Sequence, residues 1–448
     1  MPRTRVIAGI LVAVAVVVAV ILLVTLGGDD DDDGGEEFAH IEALPSSACE
    51  EVEYGGEGEP NALIVSDLPM QGDSAERSAQ MVEAIRLELE NQNWQAGQTR
   101  IAYQVCDDSI AETGEWDAGK CRDNAANYAN NADVIGVIGT YNSGCAAEII
   151  PILNEAPDGG VAMVSPGNTL VCLTETASTC EPDQPDSLYP SGSRNYARVV
   201  PNDAIQGAGL ASFAEKQGVR KPYVLYAADD PTSTGQGSTF AGAAKGLGMQ
   251  VAGFETWDPD AASYTDLMQK VKRSGADAVV LAGLLEQNGR QIIRDKVKVL
   301  GPNSGGVKLL APDGFAQQAT IDGTGPPSAG MFVSVPGRPP ETLTGPGKTF
   351  VSELKAGLGG APVELFAPYA GQAAQLLLSA IASSPARADV VAAVLQARVE
   401  DGIIGSFSIT ASGDPSQAPI GVSVARDTFA VQDEITPPPE LVKAARGG

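Results

Sequence analysis

The sequence predicts an α/β protein built from two lobes, each a parallel β-sheet covered by helices. Two series of short apolar strands alternate with helices, the first before residue 175 and the second after residue 222. Such alternation is typical of parallel sheets, because the crossover helices lie on the sheet faces. In the second series a glycine follows three of the helices, which is the usual helix stop. Two series of similar size indicate two lobes instead of a repeat array.

The first series begins at Asn61 and is followed by a polar run at 175–195, which we expect to be a surface insertion. Met81, Ile85 and Leu89 recur at helical spacing and define the apolar face of one helix. The predicted strands are 62–65, 101–105, 134–138 and 161–164, and the predicted helices are 74–91, 117–130 and 146–155.

The second series runs to Pro336, where the alternation stops and three helices follow one another. Short strands around a Gly-Asp-Pro turn then complete the pattern. The second series is predicted to contain strands at 223–227, 251–254, 278–281, 307–311 and 331–335 and helices at 235–247, 264–274 and 286–300. The remaining predicted elements are helices at 347–358, 369–383 and 386–398 and strands at 407–409, 422–425 and 428–431.

Two loops rich in hydroxyl groups and glycine follow neighbouring strands of the first lobe. Because ligands of open α/β sheets bind beyond the carboxyl ends of the strands, both loops are candidate binding elements. Ser143 also lies where a helix begins, whose free N–H groups and positive dipole end favour a carboxylate. A structural interpretation stays open, in which Ser143 is only an N-cap and 165–169 only a tight turn. The candidate ligand residues of these loops are Ser143, Gly144, Ser165, Gly167, Asn168 and Thr169.

The composition excludes several classes of function. A net charge of −28 argues against a nucleic-acid partner, because binding to phosphates needs a basic surface. The single histidine, His40, lies in a polar N-terminal stretch, which disfavours histidine-dependent catalysis and a histidine metal site. The sequence also contains no C-x-x-C pair, P-loop, nucleophile elbow or strand-linked G-x-G-x-x-G. We therefore expect neither an enzyme nor a cofactor.

The N-terminus predicts a membrane anchor. Arg3 and Arg5 precede an uncharged apolar run from Val6 to Leu26, which is long enough to span a bilayer. No small-residue cleavage site follows, so an uncleaved signal-anchor helix is favoured over a cleaved signal peptide. Because basic residues stay on the cytoplasmic side, the remaining chain is expected to be extracytoplasmic and tethered to the outer face of the bacterial cell membrane.

The six cysteines all follow this apolar run, and an even number in an extracytoplasmic chain suggests disulfides. Cys172 and Cys180 bracket a short polar loop, and Cys121 and Cys145 flank the 134–138 strand. Cys49 and Cys106 are then left to pair with each other. Many connectivities are open to six cysteines, so the second and third pairs stay open here. A nucleophilic Cys145 is the alternative, although nothing nearby in sequence would activate it. The expected pairs are Cys172–Cys180, Cys121–Cys145 and Cys49–Cys106.

Six segments, in this order and spacing, carry a resemblance to a known family: GVIGTYNSG (136–144), MVSPGNTLVCLT (163–174), YARVVPNDAIQG (196–207), FETWDPDAASYTDLMQKVKRSGADAVVLAGL (254–284), YAGQAAQLLLSAI (369–381) and FSITASGDPSQAPIGVSV (407–424). From about Asn61 to Val431 the chain resembles the substrate-binding proteins of branched-chain amino acid ABC transporters, the Leu/Ile/Val-binding type. The resemblance implies a type I periplasmic binding fold, with two Rossmann-like lobes joined by three crossovers and the ligand in the cleft. The crossovers would lie near 196–198, 335–336 and 405–407.

The resemblance also implies a division of the chain. Five consecutive aspartates at 29–33 repel one another, which predicts an extended linker, and the prolines at 437–439 predict a mobile end. The expected parts are 1–28, a cytoplasmic stub and transmembrane signal-anchor; 29–59, an acidic disordered linker; 60–197 and 336–405, lobe 1; 198–335 and 406–432, lobe 2; and 433–448, a flexible tail.

The resemblance assigns roles to residues of the first lobe and to one residue of the second. Ser143 matches the serine that holds the ligand α-carboxylate, Gly167 supplies a backbone carbonyl, and Thr169 contacts the amino-acid head group. Asp313 lies where the family has an acidic residue for the ligand ammonium, which needs a carboxylate once it is buried. The alternative is that Asp313 caps a helix that starts near Phe315.

Two further positions depart from the resembled pattern. Thr234 and Leu284 stand where the family often has tyrosines that close the cleft. The head-group site can survive this loss, while the specificity for the ligand side chain is expected to change. Leu284 is alternatively a residue of the core.

The function implied by the resemblance is that of an extracytoplasmic solute receptor for an ABC importer. It would bind a small amino acid-like ligand, a branched-chain amino acid or a relative, as a monomer, and would deliver it to ABC permease subunits. The alternative is the ligand-sensing ectodomain of a membrane signalling assembly. A partner would then have to carry the signal, because only about five residues precede the membrane span.

Overall fold

The computed structural model describes residues 41–416 and 419–447, which contain two large β-sheets and a two-stranded hairpin. The predicted mixed α/β fold with two sheets is confirmed. The predicted transmembrane helix lies outside the described residues. Among the helices that the structure describes, none is long and apolar enough to cross a bilayer.

The first sheet has six strands, which are parallel except for one short strand at its edge. Its strands are buried nearly throughout, as expected for a parallel sheet covered on both faces. Across the sheet the strands are Gln95–Ala96, Thr99–Asp107, Ala62–Leu68, Val134–Gly139, Ala162–Ser165 and Tyr196–Arg198. The helices between them are Ala75–Asn91, Ala118–Asn130 and Ser143–Asn154.

The second sheet has seven strands, of which five are parallel and the last two run antiparallel to their neighbours. Across the sheet the strands are Phe429–Ile435, Ile420–Ala425, Phe332–Pro336, Lys308–Ala311, Ala278–Ala282, Pro222–Ala227 and Gly253–Trp257. The helices of this part are Asp203–Lys216, Pro231–Gly246, Thr265–Ser274, Gly289–Leu300 and Gln318–Thr324.

The chain passes between the two sheets three times. It leaves the first sheet after Tyr196–Arg198 and returns after Phe332–Pro336. The helix Ala367–Ile381 then packs on Ala75–Asn91 of the first part, which explains why the strand–helix rhythm breaks at Pro336. The third passage leads to strand Ile420–Ala425 of the second sheet. The other elements of this region are helices Pro346–Gly357 and Arg387–Leu395 and strands Arg398–Gly402 and Gly405–Ser408.

The prediction of a disordered linker is wrong for residues 41–59. This segment runs along the Thr99–Asp107 strand, where Glu50 N donates to Val105 O at 2.8 Å and Glu53 N donates to Tyr103 O at 2.8 Å. Leu44 is buried, and its N–H donates to Gln104 Oε1 at 2.9 Å. Isolated backbone hydrogen bonds of this kind require no regular spacing of hydrophobic residues. The sequence of this segment therefore resembles that of a polar spacer.

The prediction of a flexible tail is wrong for residues 433–445. The last strand extends to Ile435, and Pro439–Ala445 is a helix that packs against Pro231–Gly246 with Leu441 buried. A Cβ atom at Gly242 would lie 2.5 Å from Ala444 O, so the glycine permits this close approach. The proline run therefore precedes a docked helix instead of a mobile end.

The structure contains three disulfides, and they are the three expected pairs, Cys49–Cys106, Cys121–Cys145 and Cys172–Cys180. The first holds the 41–59 segment against the first sheet. The second joins helix Ala118–Asn130 to the first turn of helix Ser143–Asn154, so it fixes one of the predicted ligand loops. With Cys145 in a disulfide, the alternative of a nucleophilic Cys145 is wrong.

Candidate functional site

The carboxyl ends of both parallel sheets meet at one small cavity of about 20 Å³. Loops that follow Val134–Gly139 and Ala162–Ser165 line it from the first lobe, and loops that follow Pro222–Ala227, Ala278–Ala282 and Lys308–Ala311 line it from the second. Such strand ends are the expected ligand position in α/β folds. The lining residues are Trp116, Tyr141, Asn142, Ser143, Gly144, Gly167, Thr169, Asp230, Thr232, Gln236, Leu284 and Asp313.

Ser143 begins the helix Ser143–Asn154 and is buried at the cavity wall. Its Oγ accepts hydrogen bonds from the backbone N–H groups of Thr169 and Leu170, both at 3.2 Å. These bonds use its acceptor capacity and leave the hydroxyl proton free to donate. Ser143 therefore combines a free donor with the positive end of a helix, which suits a carboxylate.

Ser165 and Asn168 are candidate ligand residues that do not line the cavity. Ser165 Oγ donates to Thr140 O at 2.9 Å and accepts from Asn168 N at 2.9 Å. Asn168 Nδ2 donates to Tyr141 O at 2.9 Å, and both side chains are fully buried. Their contacts shape the 165–169 loop, which carries Gly167 into the cavity wall.

Asp313 lies opposite Ser143, on the wall formed by the second lobe. Its carboxylate is buried and accepts from Gln236 Nε2 at 3.4 Å. Burial raises the pKa of Asp313 to about 6, an effect partly offset by Gln206 and by the positive charge of Arg77. Neither the short helix Asp313–Phe315 nor the helix Gln318–Thr324 has a side-chain hydrogen bond at its N-cap. The alternative that Asp313 caps a helix is therefore wrong.

Of the two residues that depart from the family pattern, Thr234 and Leu284, only one lies at the cavity. Thr234 Oγ1 donates to Asp230 O at 3.0 Å inside the helix and does not line the cavity, whereas Leu284 does. The aromatic wall comes from the first lobe instead, through Trp116 and Tyr141. Gly144 is what lets Trp116 lie against this loop, because a Cβ there would collide with the indole ring.

Asp230 is a cavity residue that the sequence interpretation missed. It caps helix Pro231–Gly246, because its carboxylate accepts from Thr232 N at 3.0 Å and Ser233 N at 3.2 Å. Asp followed by Pro is the usual signature of a helix N-terminus, so it could have shown that this helix starts before residue 235. That shift would have placed Asp230, Thr232 and Gln236 at the strand end.

Two polar contacts join the first lobe to the second across the cleft. Arg290 makes a bidentate ion pair with Asp73, with Nη1–Oδ2 and Nη2–Oδ1 distances of 2.6 and 2.8 Å. Ser74 Oγ donates to Glu286 Oε1 at 2.6 Å. The cavity of about 20 Å³ is far below the roughly 300 Å³ of a typical small-molecule site. The structure is therefore that of a closed cleft.

A wider groove of about 570 Å³ lies elsewhere, beside the helix Pro439–Ala445. Two of its charged groups, Arg338 and Glu434, already form an ion pair at 3.1 Å with side chains 43% and 40% exposed. The strand-end cavity instead has buried polar side chains from both lobes. We therefore take the strand-end cavity as the functional site.

Two α/β lobes that close over a polar cavity at their strand ends define a small-solute-binding protein. The chain belongs to the periplasmic binding protein family, whose profile matches residues 68–426. Family members and the solved relatives are solute-binding receptors, so this chain is a binding protein and not an enzyme. No protein with a curated description matches the chain.

Several solved structures share the fold at low sequence identity. A leucine-binding protein from Thermotoga maritima is 21% identical, with a TM-score of 0.71 over 84% of this chain and 99% of that chain. A branched-chain amino acid binding protein from Streptococcus pneumoniae, in complex with isoleucine, is 15% identical, with a TM-score of 0.69 over 84% and 98%. A solute-binding protein from R. palustris, in complex with benzoate, is 17% identical, with a TM-score of 0.68 over 84% and 96%.

Proposed function

We propose that this protein is an extracytoplasmic receptor that captures a small carboxylate-bearing solute, an amino acid or a relative, for an ABC importer. The observation that carries the proposal is the placement of Ser143 and Asp313 on opposite walls of one buried cavity. A free hydroxyl donor at a helix start faces a buried carboxylate, and a zwitterionic head group has the complementary charges.

In the proposed complex the ligand carboxylate accepts from the Ser143 hydroxyl and from N–H groups at the helix start, such as that of Gly144. The ligand ammonium donates to Asp313 and to the Gly167 carbonyl, with Thr169 beside the head group. An unpaired buried charge is costly, so each ligand charge needs one of these partners. Leu284, Trp116 and Tyr141 would contact the ligand side chain.

The lobes have to open for a ligand to enter, because the closed cavity is too small to exchange an amino acid. Ligand contacts that exist only in the closed form would then shift the population toward closure. The ion pair of Asp73 with Arg290 is made across the cleft and favours the same state.

Replacing Arg290 with methionine is expected to weaken ligand binding about two- to five-fold. Partly exposed ion pairs contribute roughly 0.2–1 kcal/mol, and this one contributes only to the closed state. The dissociation rate, measured by stopped-flow or surface plasmon resonance, should account for most of the change. Arg294→Met, on the same helix, is the control, and an equal effect in both variants would contradict the role of the ion pair.

Thermal shift followed by calorimetry tests the proposed function directly. The panel contains leucine, isoleucine, other amino acids, amides and aromatic acids such as benzoate, because relatives hold leucine, isoleucine and benzoate. A ligand at 100 times its dissociation constant stabilises the fold by about 2.7 kcal/mol, which is an easily measured shift. If no compound of the panel binds, the receptor proposal is wrong and the sensing alternative moves ahead.

Replacing Ser143 with alanine is expected to raise the dissociation constant of the identified ligand about ten-fold or more. The variant removes one charge-assisted hydrogen bond to the carboxylate, which is worth roughly 1.5–3 kcal/mol. Calorimetry measures the affinity, and Ser212→Ala on a helix outside the cavity is the matched control. An unchanged affinity in Ser143→Ala would remove this residue from the site.

We also infer that residues 1–28 anchor the chain in the membrane and that the two lobes divide at the predicted crossovers. The apolar run between Val6 and Leu26 and the absence of a cleavage site in the sequence support the anchor. N-terminal sequencing of the mature protein tests it, since a terminus near Gly27 would show that the segment is removed.

A further inference from the structure

A second, smaller chamber lies behind the main cavity, within the second lobe. Its volume is about 10 Å³, roughly the space that one water-sized group needs. Gln236 lines both spaces, so the chamber adjoins the main cavity at this side chain. Leu210, Phe240 and Val280 form its apolar side, and Asp203 and Gln206 contribute polar groups.

Three polar side chains that line this chamber have acceptor atoms without a hydrogen-bond partner. Within the described part of the chain, both carboxylate oxygens of Asp203 and the Oε1 atoms of Gln206 and Gln236 have no hydrogen-bond partner. The three residues are at most 5% exposed. Gln206 Nε2 donates to Ser334 Oγ at 3.1 Å and to Ser334 O at 3.2 Å, so only the Oε1 end of this amide is available to a ligand. Even a protonated Asp203 has only one O–H to share among these atoms, so they indicate a missing group rich in N–H or O–H.

The electrostatic surroundings of the chamber favour a positive charge on that group. Burial and the nearby Asp313 carboxylate raise the pKa of Asp203 to about 8, an effect that the Thr169 hydroxyl and the positive charge of the buried Arg198 offset only in part. Among the described residues that line the two spaces there is no lysine, arginine or histidine. A water molecule would supply two donors without charge, whereas an ammonium group supplies three donors with charge.

The entrance of the cleft has the same electrostatic character. Burial raises the pKa of Glu115, and the neighbouring carboxylates Glu286, Asp73, Asp230 and Asp260 raise it further. Arg290 neutralises only Asp73 among these carboxylates, and an excess of negative charge in a cleft concentrates cationic ligands and speeds their association.

We propose that Asp203, Gln206 and Gln236 form a subsite for a second ammonium group, so that the ligand is a basic amino acid. The assignment rests on the proposed function, because the α-carboxylate and α-ammonium are held at Ser143 and Asp313. The second ammonium enters the inner chamber past Gln236 and donates to the unpaired acceptors. The ligand then differs in class from leucine, isoleucine and benzoate, which the solved relatives hold or are named for.

Matched ligand pairs that differ only in a terminal amino group test this subsite. Calorimetry with the full-length protein compares L-lysine with L-norleucine, L-ornithine with L-norvaline, and L-2,4-diaminobutyrate with L-2-aminobutyrate. We expect the amino-terminated member of at least one pair to bind about ten-fold tighter or better, as a buried charge-assisted contact requires. In Asp203→Asn that preference should fall to about two-fold or less while the affinity for the neutral partner stays constant.

The Asp203→Asn variant is expected to fold normally, so a lost preference for the amino group can be assigned to the subsite. Asparagine has nearly the shape of a protonated aspartate, so the ligand-free melting temperature of Asp203→Asn should match or exceed that of the wild type. Asp266→Asn, an exposed residue of the same lobe, is the control and should keep the full preference. Equal binding within all three pairs would overturn the subsite and indicate a water-filled chamber, while the receptor function stands. If none of these six compounds binds and no compound of the amino-acid and aromatic-acid panel binds, the receptor function itself is overturned.

Discussion

Replacing Arg198 with methionine is expected to lower the free energy of unfolding by about 3–5 kcal/mol, as for other buried ion pairs that lose one partner. Arg198 is fully buried, and its Nε donates to Asp414 Oδ1 at 2.7 Å. Its Nη1 donates to the carbonyls of Asn168 and Leu170 at 3.0 and 2.8 Å. The variant therefore leaves Asp414 Oδ1 and the Asn168 carbonyl without the donors that Arg198 supplies, and it weakens the hydrogen bonding of the Leu170 carbonyl.

The same substitution is expected to abolish ligand binding, although Arg198 does not line the cavity. The carbonyls it holds belong to the loop that carries Gly167 and Thr169 into the wall. Urea unfolding and calorimetry measure the two effects. Lys216→Met, which breaks the exposed ion pair with Asp433, is the control and should change stability little. A loss below about 1 kcal/mol in Arg198→Met would contradict the assigned role.

Replacing Asp313 with asparagine is expected to weaken the binding of amino acids about 100-fold. Removing one partner of a buried, hydrogen-bonded charge pair typically costs 2–5 kcal/mol, because the remaining charge stays buried and unpaired. Ligands without an ammonium group, such as benzoate, should lose much less. Asp322→Asn, an exposed residue of the same lobe, is the control. Equal losses for amino acids and for benzoate would show that Asp313 does not hold the ammonium.

Asp313 also gives the ligand-free protein a pH dependence of defined sign. Burial raises the folded-state pKa from 3.8 to about 6, so the folded form holds this proton more tightly than the unfolded chain. The resulting stabilisation is complete below about pH 4 and is lost as the pH rises through about 6, up to about 3 kcal/mol. We expect Asp313→Asn to lack this decline. Urea unfolding of both proteins between about pH 4 and pH 7 measures the difference, and parallel curves would contradict the raised pKa.

The fold class and the first-lobe part of the site could be predicted because both depend on local pattern. Strand Val134–Gly139 is a short apolar run, and Ser143 and Thr169 lie in the loops that follow strands. The strand–helix alternation is therefore enough to place both residues at the edge of the sheet. Helix Asp203–Lys216 was missed because it is buried on nearly every side and is rich in glycine and alanine. A helix without a polar face shows no 3.6-residue period.

Other parts of the site depend on contacts that no local pattern contains. Trp116 lies in an irregular loop and reaches the cavity only because Ser109 pairs with it and Gly144 leaves it space. Ser165 and Asn168 have the composition of ligand groups, yet their hydrogen bonds turn back into their own loop. The sequence indicates which residues can bind a ligand, but only the packing decides which of them face it.

The three disulfides connect cysteines in strict succession along the chain, the first with the second, the third with the fourth and the fifth with the sixth. If the chain that follows residue 28 crosses the membrane in sequence order, each odd-numbered cysteine meets its native partner as the next cysteine to emerge. A simple thiol oxidase could then complete every bond during export, without an isomerase that reshuffles wrong pairs. Production in a host that lacks disulfide isomerase but keeps its oxidase should therefore yield correctly bonded protein.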